Sequence, residues 1–322
     1  GAGFIGRHIV RQLLARGDRV RVLDPRVDQT PQPDGATLLP YSLFDDAALA
    51  KAMDGVDVVY HLAGNPQLWA RDPAEFDRVN RGGVEAMLRA AAGRPLRKIV
   101  VTSSEVVLKG WRDRSTALAT EAASPSREAL AGPYSRSKWD ADKAALRAAA
   151  AGAPIVIVHP TLPIGPEDFG LTPPTRMVLG FLRRRLPAFL ETAFNFAPVE
   201  DVARGHLLAA DHGRAGERYI LSGENMRFSA FLRMLGAVSG VRAPRRRAPY
   251  WAALLAGHVE QAVADRITKR PPSAPLEGVR LARAAMTFDN AKARAELGFA
   301  PGRVEDALRR AVDWLRAEGH AD

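Results

Sequence analysis

The sequence predicts an α/β protein: a doubly wound parallel sheet followed by a smaller, mostly helical C-terminal lobe. Three observations carry this. Hydrophobic strands alternate with amphipathic helices as far as residue 159, prolines at 160, 163, 166, 173, 174 and 187 then interrupt the alternation, and the apolar periodicity beyond them is mainly helical. Strands joined by helices of this length pair in parallel, and the helices cover both faces of the sheet.

The elements follow in order. Gly1-Ala2-Gly3-Phe4-Ile5-Gly6 is a glycine turn that feeds an amphipathic helix over 7–16, stopped by Gly17. A turn of this type normally follows a strand, so a hydrophobic strand is expected upstream of Gly1. Strands are then expected at 19–24 and 36–43, a helix at 45–53, a strand at 56–62 and a long helix at 73–92. The strand 97–102, the helix 134–151 and the strand 154–159 complete a first domain over 1–160. Residues 161–322 are expected to form a second lobe with helices at 229–238, 252–267 and 304–316, while 194–222 partly returns to the first domain.

Composition excludes several kinds of chemistry. The 322 residues contain no cysteine, which rules out disulfides, thiolate nucleophiles, iron–sulfur clusters and thiolate-bound zinc. No apolar run approaches the ~20 residues of a spanning helix. The seven histidines form no ligand spacing, so no metal is expected; His206 and His212 read as helix-surface residues and Asp201 as a helix cap. Forty-six basic against 36 acidic side chains give a net charge of +10, which favours anionic small molecules or surfaces as partners; nucleic acid is not expected.

Two constellations carry chemistry. Gly3 and Gly6 let backbone amides approach a pyrophosphate at a helix N-terminus, and Asp24, ending the next strand, stands where a ribose hydroxyl pair would lie. This is the pattern of a Rossmann-type dinucleotide site. Asp24 favours NAD(H) by repelling a ribose phosphate, whereas Arg26 leaves NADP(H) open. The second constellation joins Thr102-Ser103-Ser104 at a strand end to Tyr134-Ser135-Arg136-Ser137-Lys138, where the four-residue spacing puts Tyr134 and Lys138 on one helix face. A neighbouring ammonium is expected to lower the phenol pKa, so that Tyr134 exchanges a proton near neutrality while Ser104 holds the substrate oxygen.

With these motifs the chain resembles the extended short-chain dehydrogenase/reductases of the NAD-dependent epimerase/dehydratase family. The resemblance rests on the glycine turn, His61-Leu62-Ala63-Gly64, Asn80, Thr102-Ser103-Ser104, Tyr134 with Lys138, His159-Pro160-Thr161 and Gly165-Pro166. Within the family it is most similar to the branch of dihydroflavonol reductases, hydroxysteroid dehydrogenases and hopanoid-associated sugar epimerases, the last through 68–73 and 216–225. The resemblance implies Ser104, Tyr134 and Lys138 as catalytic residues. It implies a cofactor site built from Gly1, Gly3, Phe4, Ile5, Gly6, Asp24, Arg26, Ser42, Leu43, Leu62, Ala63, Gly64, Thr102, Tyr134, Lys138, Pro160, Thr161 and Leu162. Ser42 departs from the family's Asp that meets the adenine amine. Glu105 departs from a small apolar residue and either reads a polar group of the substrate, faces solvent or pairs with Lys109.

The substrate is expected to contact Trp69, Ser104, Glu105 and Tyr134. Residues 161–196 are dominated by Leu, Ile, Pro, Met and Phe, which favours an oxidoreductase, in the main a ketone reductase, moving hydride between nicotinamide and the ketone or secondary alcohol of an apolar, lipid-like substrate such as a bacterial ketosphingolipid, a sterol-like or an isoprenoid-linked compound. The alternative is a nucleotide-sugar epimerase or dehydratase using bound NAD, with Arg176 and 183–185 as phosphate ligands; a non-catalytic dinucleotide-binding subunit is the third reading. A homodimer is compatible with all three. Finally, Arg245-Arg246-Arg247 directly precedes Tyr250-Trp251 and an apolar helix start. That segment either closes the substrate lobe with Trp251, Leu254 and Leu255 or lies at a membrane interface, which would put a cytoplasmic enzyme in peripheral contact with the inner face of a membrane.

Overall fold

The computed structural model describes residues 1–321. The glycine turn leads into helix α1 (Phe4–Ala15), which starts at Phe4 because Gly3 is its extended N-cap. Strands β1 (Arg21–Leu23) and β2 (Thr37–Leu39) pair in parallel with each other. Helix α2 (Asp46–Ala52) is capped by the Asp45 side chain on the Ala48 amide. Strand β3 (Val58–His61) follows.

A single helix expected over 73–92 is instead two, α3 (Ala74–Phe76) and α4 (Gly82–Ala91), joined by a π-helical turn at Asp77–Arg81 that carries the buried Asn80. Such a turn re-aims one side chain without ending the helix, and periodicity alone does not reveal it. Strand β4 (Lys98–Thr102), helix α5 (Pro133–Ala150) and strand β5 (Ile155–Pro160) follow. β5 is buried throughout, and its apolar run over 155–158 suits a strand covered on both faces.

Strand β6 (Leu162–Ile164) leads to α6 (Pro173–Leu182), where the two prolines begin a helix because the first turn has no use for their missing amides. Strand β7 (Ala193–Pro198) runs into α7 (Val199–His212), then β8 (Arg218–Leu221), β9 (Glu224–Arg227) and α8 (Phe228–Ser239). Helices α9 (Tyr250–Val263), α10 (Leu276–Leu281), α11 (Ala291–Leu297) and α12 (Val304–Ala317) complete the described chain.

The central sheet is fully parallel in the order β3-β4-β5-β8. One face packs Ile99, Val101, Ile155 and Ile157 under α4 and α5; the other packs Val100, Val156, Val158 and Tyr219 against α7 and α11. Ile9 and Leu13 of α1 meet Ala203 and Leu207 of α7. A second sheet, β6-β7-β9, forms over the C-terminal part, with β9 antiparallel to β7, and packs with α6, α8 and α12 around Phe196 and Phe231. Of this lobe the sequence discloses α8, α9 and α12 but not the shorter α6, α10 and α11 or the strands, whose apolar residues merge with those of neighbouring elements.

Candidate functional site

The sheet carries its polar cluster at the carboxyl ends of β4 and β5, beside the first two turns of α5. Helix α5 begins at Pro133 behind Gly132, and neither can cap its amides. The cap comes from the other half of the molecule: buried Glu277 of α10 accepts from the backbone amides of Tyr134 at 3.1 Å and Ser135 at 2.7 Å, and from the Ser135 hydroxyl at 2.5 Å. A Cβ at position 132 would lie 2.4 Å from the Glu277 Oε2, so any side chain there would displace this carboxylate. Sequence reasoning missed Glu277; the available signal was a helix start with no Ser, Thr, Asp or Asn in front of it.

Tyr134 donates its hydroxyl to the Ser104 Oγ at 3.3 Å, and Ser104 donates to the Glu105 Oε2 at 2.8 Å. All three side chains are buried. Burial, with Glu105 and Glu277 adding to it, holds the phenol well above its usual pKa, so Tyr134 keeps its proton; this differs from the expected lowering by Lys138. Burial raises Glu105 to about 7, against the hydrogen bond from Ser104 and the charge of Lys138. Glu105 therefore neither faces solvent nor pairs with Lys109, whose ammonium donates to the carbonyls of Ser115 and Ala117.

Lys138 donates to the Thr102 carbonyl at 2.7 Å. Burial lowers it to about 8, while Asp142, one turn on, and Glu105 act in the opposite direction. Asp142 sits 2.9 Å from the His159 Nε2 and 3.9 Å from Arg218, so the carboxylate beneath Lys138 is itself held. The Thr102 side chain is held from α7: His206 Nδ1 lies 2.7 Å from the Val202 carbonyl, so it carries the proton, and Nε2 accepts from the Thr102 hydroxyl at 3.0 Å. His206 is thus buried and neutral, pushed down to about 4 by burial, and is no helix-surface residue. Asp201 does not cap α7; it accepts from the Gly302 amide at 2.7 Å.

Asn80, placed by the π turn, accepts from the Asn65 amide at 2.8 Å and donates to the Ser137 hydroxyl at 2.8 Å, locking the loop after β3 to α5. A Cβ on Gly64 would lie 2.9 Å from the Asn80 Oδ1 and 4.0 Å from the Lys138 Nζ, so the backbone at Gly64 makes a close floor beside the ammonium.

The glycine turn fits a dinucleotide. No side chain caps α1 and its first turn holds no acidic residue, which leaves the amides of Phe4, Ile5 and Gly6 to an anion. A Cβ on Gly6 would lie 2.6 Å from the Gly1 carbonyl, whereas nothing lies within 4 Å of the Gly3 position. Asp24 accepts from the amides of Ala2 at 3.3 Å and Arg26 at 3.0 Å, and the Arg26 Nε is 3.6 Å from it. Ser42 accepts from the Phe44 amide at 3.2 Å and Leu43 packs over Gly83. Leu62 and exposed Ala63 continue from β3 toward Gly64, while Pro160 ends β5 and Leu162 starts β6. The Thr161 hydroxyl is committed to Asn195 at 2.7 Å and its amide to the Leu221 carbonyl at 3.4 Å.

Trp69 lines a cavity of about 100 Å³ with Leu68, Phe76, Pro133, Leu276 and Arg280. Its Nε1 donates to Asp265 at 2.8 Å, tying the loop after β3 to the end of the α9 segment, and Phe76 meets the Tyr134 ring edge-on at 6.2 Å. Of the basic residues considered as phosphate ligands, Arg176 reaches Gln67 at 2.8 Å, whereas Arg183 is tied to the His320 carbonyl at the far end of the second lobe. Among the described residues no group of three or more acidic or histidine side chains is placed to hold a metal, and no helix is long and apolar enough to cross a membrane.

Residues 1–222 match the NAD dependent epimerase/dehydratase family. A Synechocystis protein provisionally named a dihydroflavonol 4-reductase is 36% identical over 330 residues, covering 99% of this chain and 94% of its own. Sterol demethylase protein B of Methylococcus capsulatus is 31% identical, covering 98% of this chain and 97% of its own. The crystal structure of gox2253 superposes with a TM-score of 0.86 at 31% identity, covering 100% of this chain and 97% of that one.

Proposed function

The chain belongs to the NAD dependent epimerase/dehydratase family, and from that premise we propose that it is a reductase of an apolar, lipid-like ketone. Membership makes it an NAD(P)-dependent enzyme of the extended short-chain dehydrogenase/reductase type. The cofactor, when bound, supplies the hydride. Gly1, Gly3, Phe4, Ile5 and Gly6 would hold its pyrophosphate, with Asp24 and Arg26 at the adenosine ribose, Ser42, Leu43, Leu62 and Ala63 around the adenine half, and Gly64, Thr102, Lys138 and 160–162 along the nicotinamide half. Asp24 favours NAD(H), since its carboxylate has its own backbone donors and Arg26 is drawn to it.

Tyr134 acts as the acid. Its phenol is kept protonated by burial, which suits donation to a forming alkoxide, and Ser104, already aligned on its hydroxyl, binds the carbonyl oxygen. Lys138 is oriented by Thr102 to hold the nicotinamide ribose and to stabilise the phenolate once the proton has left.

The observation that carries the substrate class is the cavity beside Tyr134. Its walls include Leu68, Ala70, Pro73, Phe76 and Leu276, and most of its polar groups are committed: Glu277 to the α5 amides, one Arg280 nitrogen to the Ala131 carbonyl, and Trp69 and Gln261 to Asp265, which leaves the buried Arg280 Nε without a partner. Little polar capacity remains for a sugar. A lipid larger than the cavity requires the α9–α10 segment to lift, breaking the Trp69 to Asp265 bond. The names of two relatives support the class, a sterol demethylase protein and a ketoreductase of a farnesylated quinoline oxide.

Arg176 on Gln67 favours a second reading, nucleotide-sugar epimerisation with bound NAD, since it is one cation near the loop after β3. Incubation with apolar ketones and with nucleotide sugars separates the two. The proposal expects one reduced cofactor consumed per alcohol formed; turnover of a nucleotide sugar without net consumption contradicts it.

A further inference from the structure

Helix α9 presents a row of apolar side chains to solvent. Trp251, Leu255, Val259, Val263 and, in the following π turn, Ile267 are spaced four residues apart and are 70, 60, 56, 37 and 75% exposed. Four-residue spacing keeps successive members on neighbouring positions of one helix face. Trp251 and Leu255 therefore do not close the substrate lobe. Of the 14 residues of α9, Gly257 alone is buried.

The charges around this row are sorted. Arg242, Arg245, Arg246 and Arg247 are exposed before its start, and Arg266, Lys269 and Arg270 are exposed at its end. Among the described residues only Arg247 of these makes an ion pair, with Glu191 at 3.0 Å. The acidic residues of the same segment are engaged elsewhere: Asp265 accepts from Trp69 and Gln261, and Glu260 accepts from Ser273 and the Ala274 amide.

We propose that this face of α9 docks onto an anionic lipid bilayer. Exposed apolar area in a contiguous row marks an interaction surface, and the row has the composition of an interfacial helix: aromatic and aliphatic residues on one side, cations at both ends. A second copy of the chain is disfavoured as the occupant, because pairing two such rows in either direction sets basic ends against basic ends. Anionic headgroups complement both ends at once. Gln261 of the same helix lines the cavity beside Tyr134, so docking places the apolar site next to the bilayer. The surface stands on its own residues and does not depend on the reductase assignment.

The test is sedimentation of the full chain with phosphatidylcholine vesicles, with and without phosphatidylglycerol. The expected result is binding to the anionic vesicles at low ionic strength, release by high salt, and at least ~10-fold weaker binding when Arg245, Arg246 and Arg247 are changed together to Gln. Leu255→Asp combined with Val259→Asp should abolish binding, and brominated acyl chains should quench a part of the tryptophan fluorescence that disappears in Trp251→Phe. Failure to bind anionic vesicles at low salt overturns the proposal. So does undiminished binding by the double Asp variant, or a dimer in light scattering that this variant converts to monomer, which would assign the face to self-association. Because binding is the readout, an enzyme that proved to be an epimerase would leave the result intact.

Discussion

Helices α5 and α9 reverse the usual sorting of side chains in opposite ways. α5 buries Tyr134, Ser135, Ser137 and Asp142, whereas α9 exposes Trp251, Leu255 and Val259. Buried polar groups cost free energy unless hydrogen-bonded, and each of those on α5 has a named partner: Ser104, Glu277, Asn80 and His159. Exposed apolar groups lose the free energy that burial would give, and among the described residues none covers the row on α9. Misplacement is therefore informative in both helices. In α5 it coincides with the proposed proton-transfer site, where polar atoms shielded from water are needed; in α9 it coincides with the proposed docking surface.

The comparison can be broken most sharply at Tyr134. Tyr134→Phe keeps the ring and its contact with Phe76 but removes the proton, so turnover should fall by ~10² or more while cofactor affinity, read by fluorescence titration, is retained. Turnover near that of the parent would remove Tyr134 from its role.

Glu105 gives the next effect. Its folded pKa of about 7 lies above the ordinary 4.5, so the folded chain holds a proton that the unfolded chain releases between those values. The sign follows: stability is lost as pH rises from about 4.5 to about 7, and above that the burial of the charge is felt in full. Glu105→Gln removes this slope. Denaturant titrations should show the variant gaining on the parent over that window by something on the order of 2 kcal/mol. Parallel pH profiles of the two proteins would contradict the shift.

Removal of the shared cap should cost less. Glu277→Ala leaves the Tyr134 and Ser135 amides without their acceptor and should destabilise by about 1–2 kcal/mol, with turnover falling further than cofactor affinity because the start of α5 is what loosens. A lowered melting temperature with unchanged turnover would confine Glu277 to a structural role. At the other pole, Leu255→Asp and Val259→Asp should each change the unfolding free energy by less than ~0.5 kcal/mol, since neither side chain is packed. A loss of 2 kcal/mol or more there would mean that the row is covered in the folded protein.

The same contrast explains what could be read from the sequence. Local signals disclosed the parallel sheet, the glycine turn before α1 and the helix that carries both Tyr134 and Lys138, because turn chemistry and helix spacing are written in adjacent residues. Long-range partners were not legible. Glu277 lies 143 positions from Tyr134, and His206 lies 104 from Thr102, so neither role leaves a local pattern. Glu105 was visible as a departure from the family, yet its direction depended on burial, which one strand's sequence does not determine. The π turn that aims Asn80 and the small β6-β7-β9 sheet were hidden for a related reason: both are settled by tertiary packing rather than by propensity.

The most direct test of the central claim is to follow deuterium from C4-labelled reduced cofactor during turnover of an apolar ketone. With deuterium at both C4 positions, the account predicts one deuterium on the carbinol carbon of each alcohol formed, with an equal amount of cofactor oxidised, and a rate at least ~10² lower in Tyr134→Phe. Alcohol carrying no deuterium, or a nucleotide sugar epimerised with the cofactor recovered unoxidised, would contradict it.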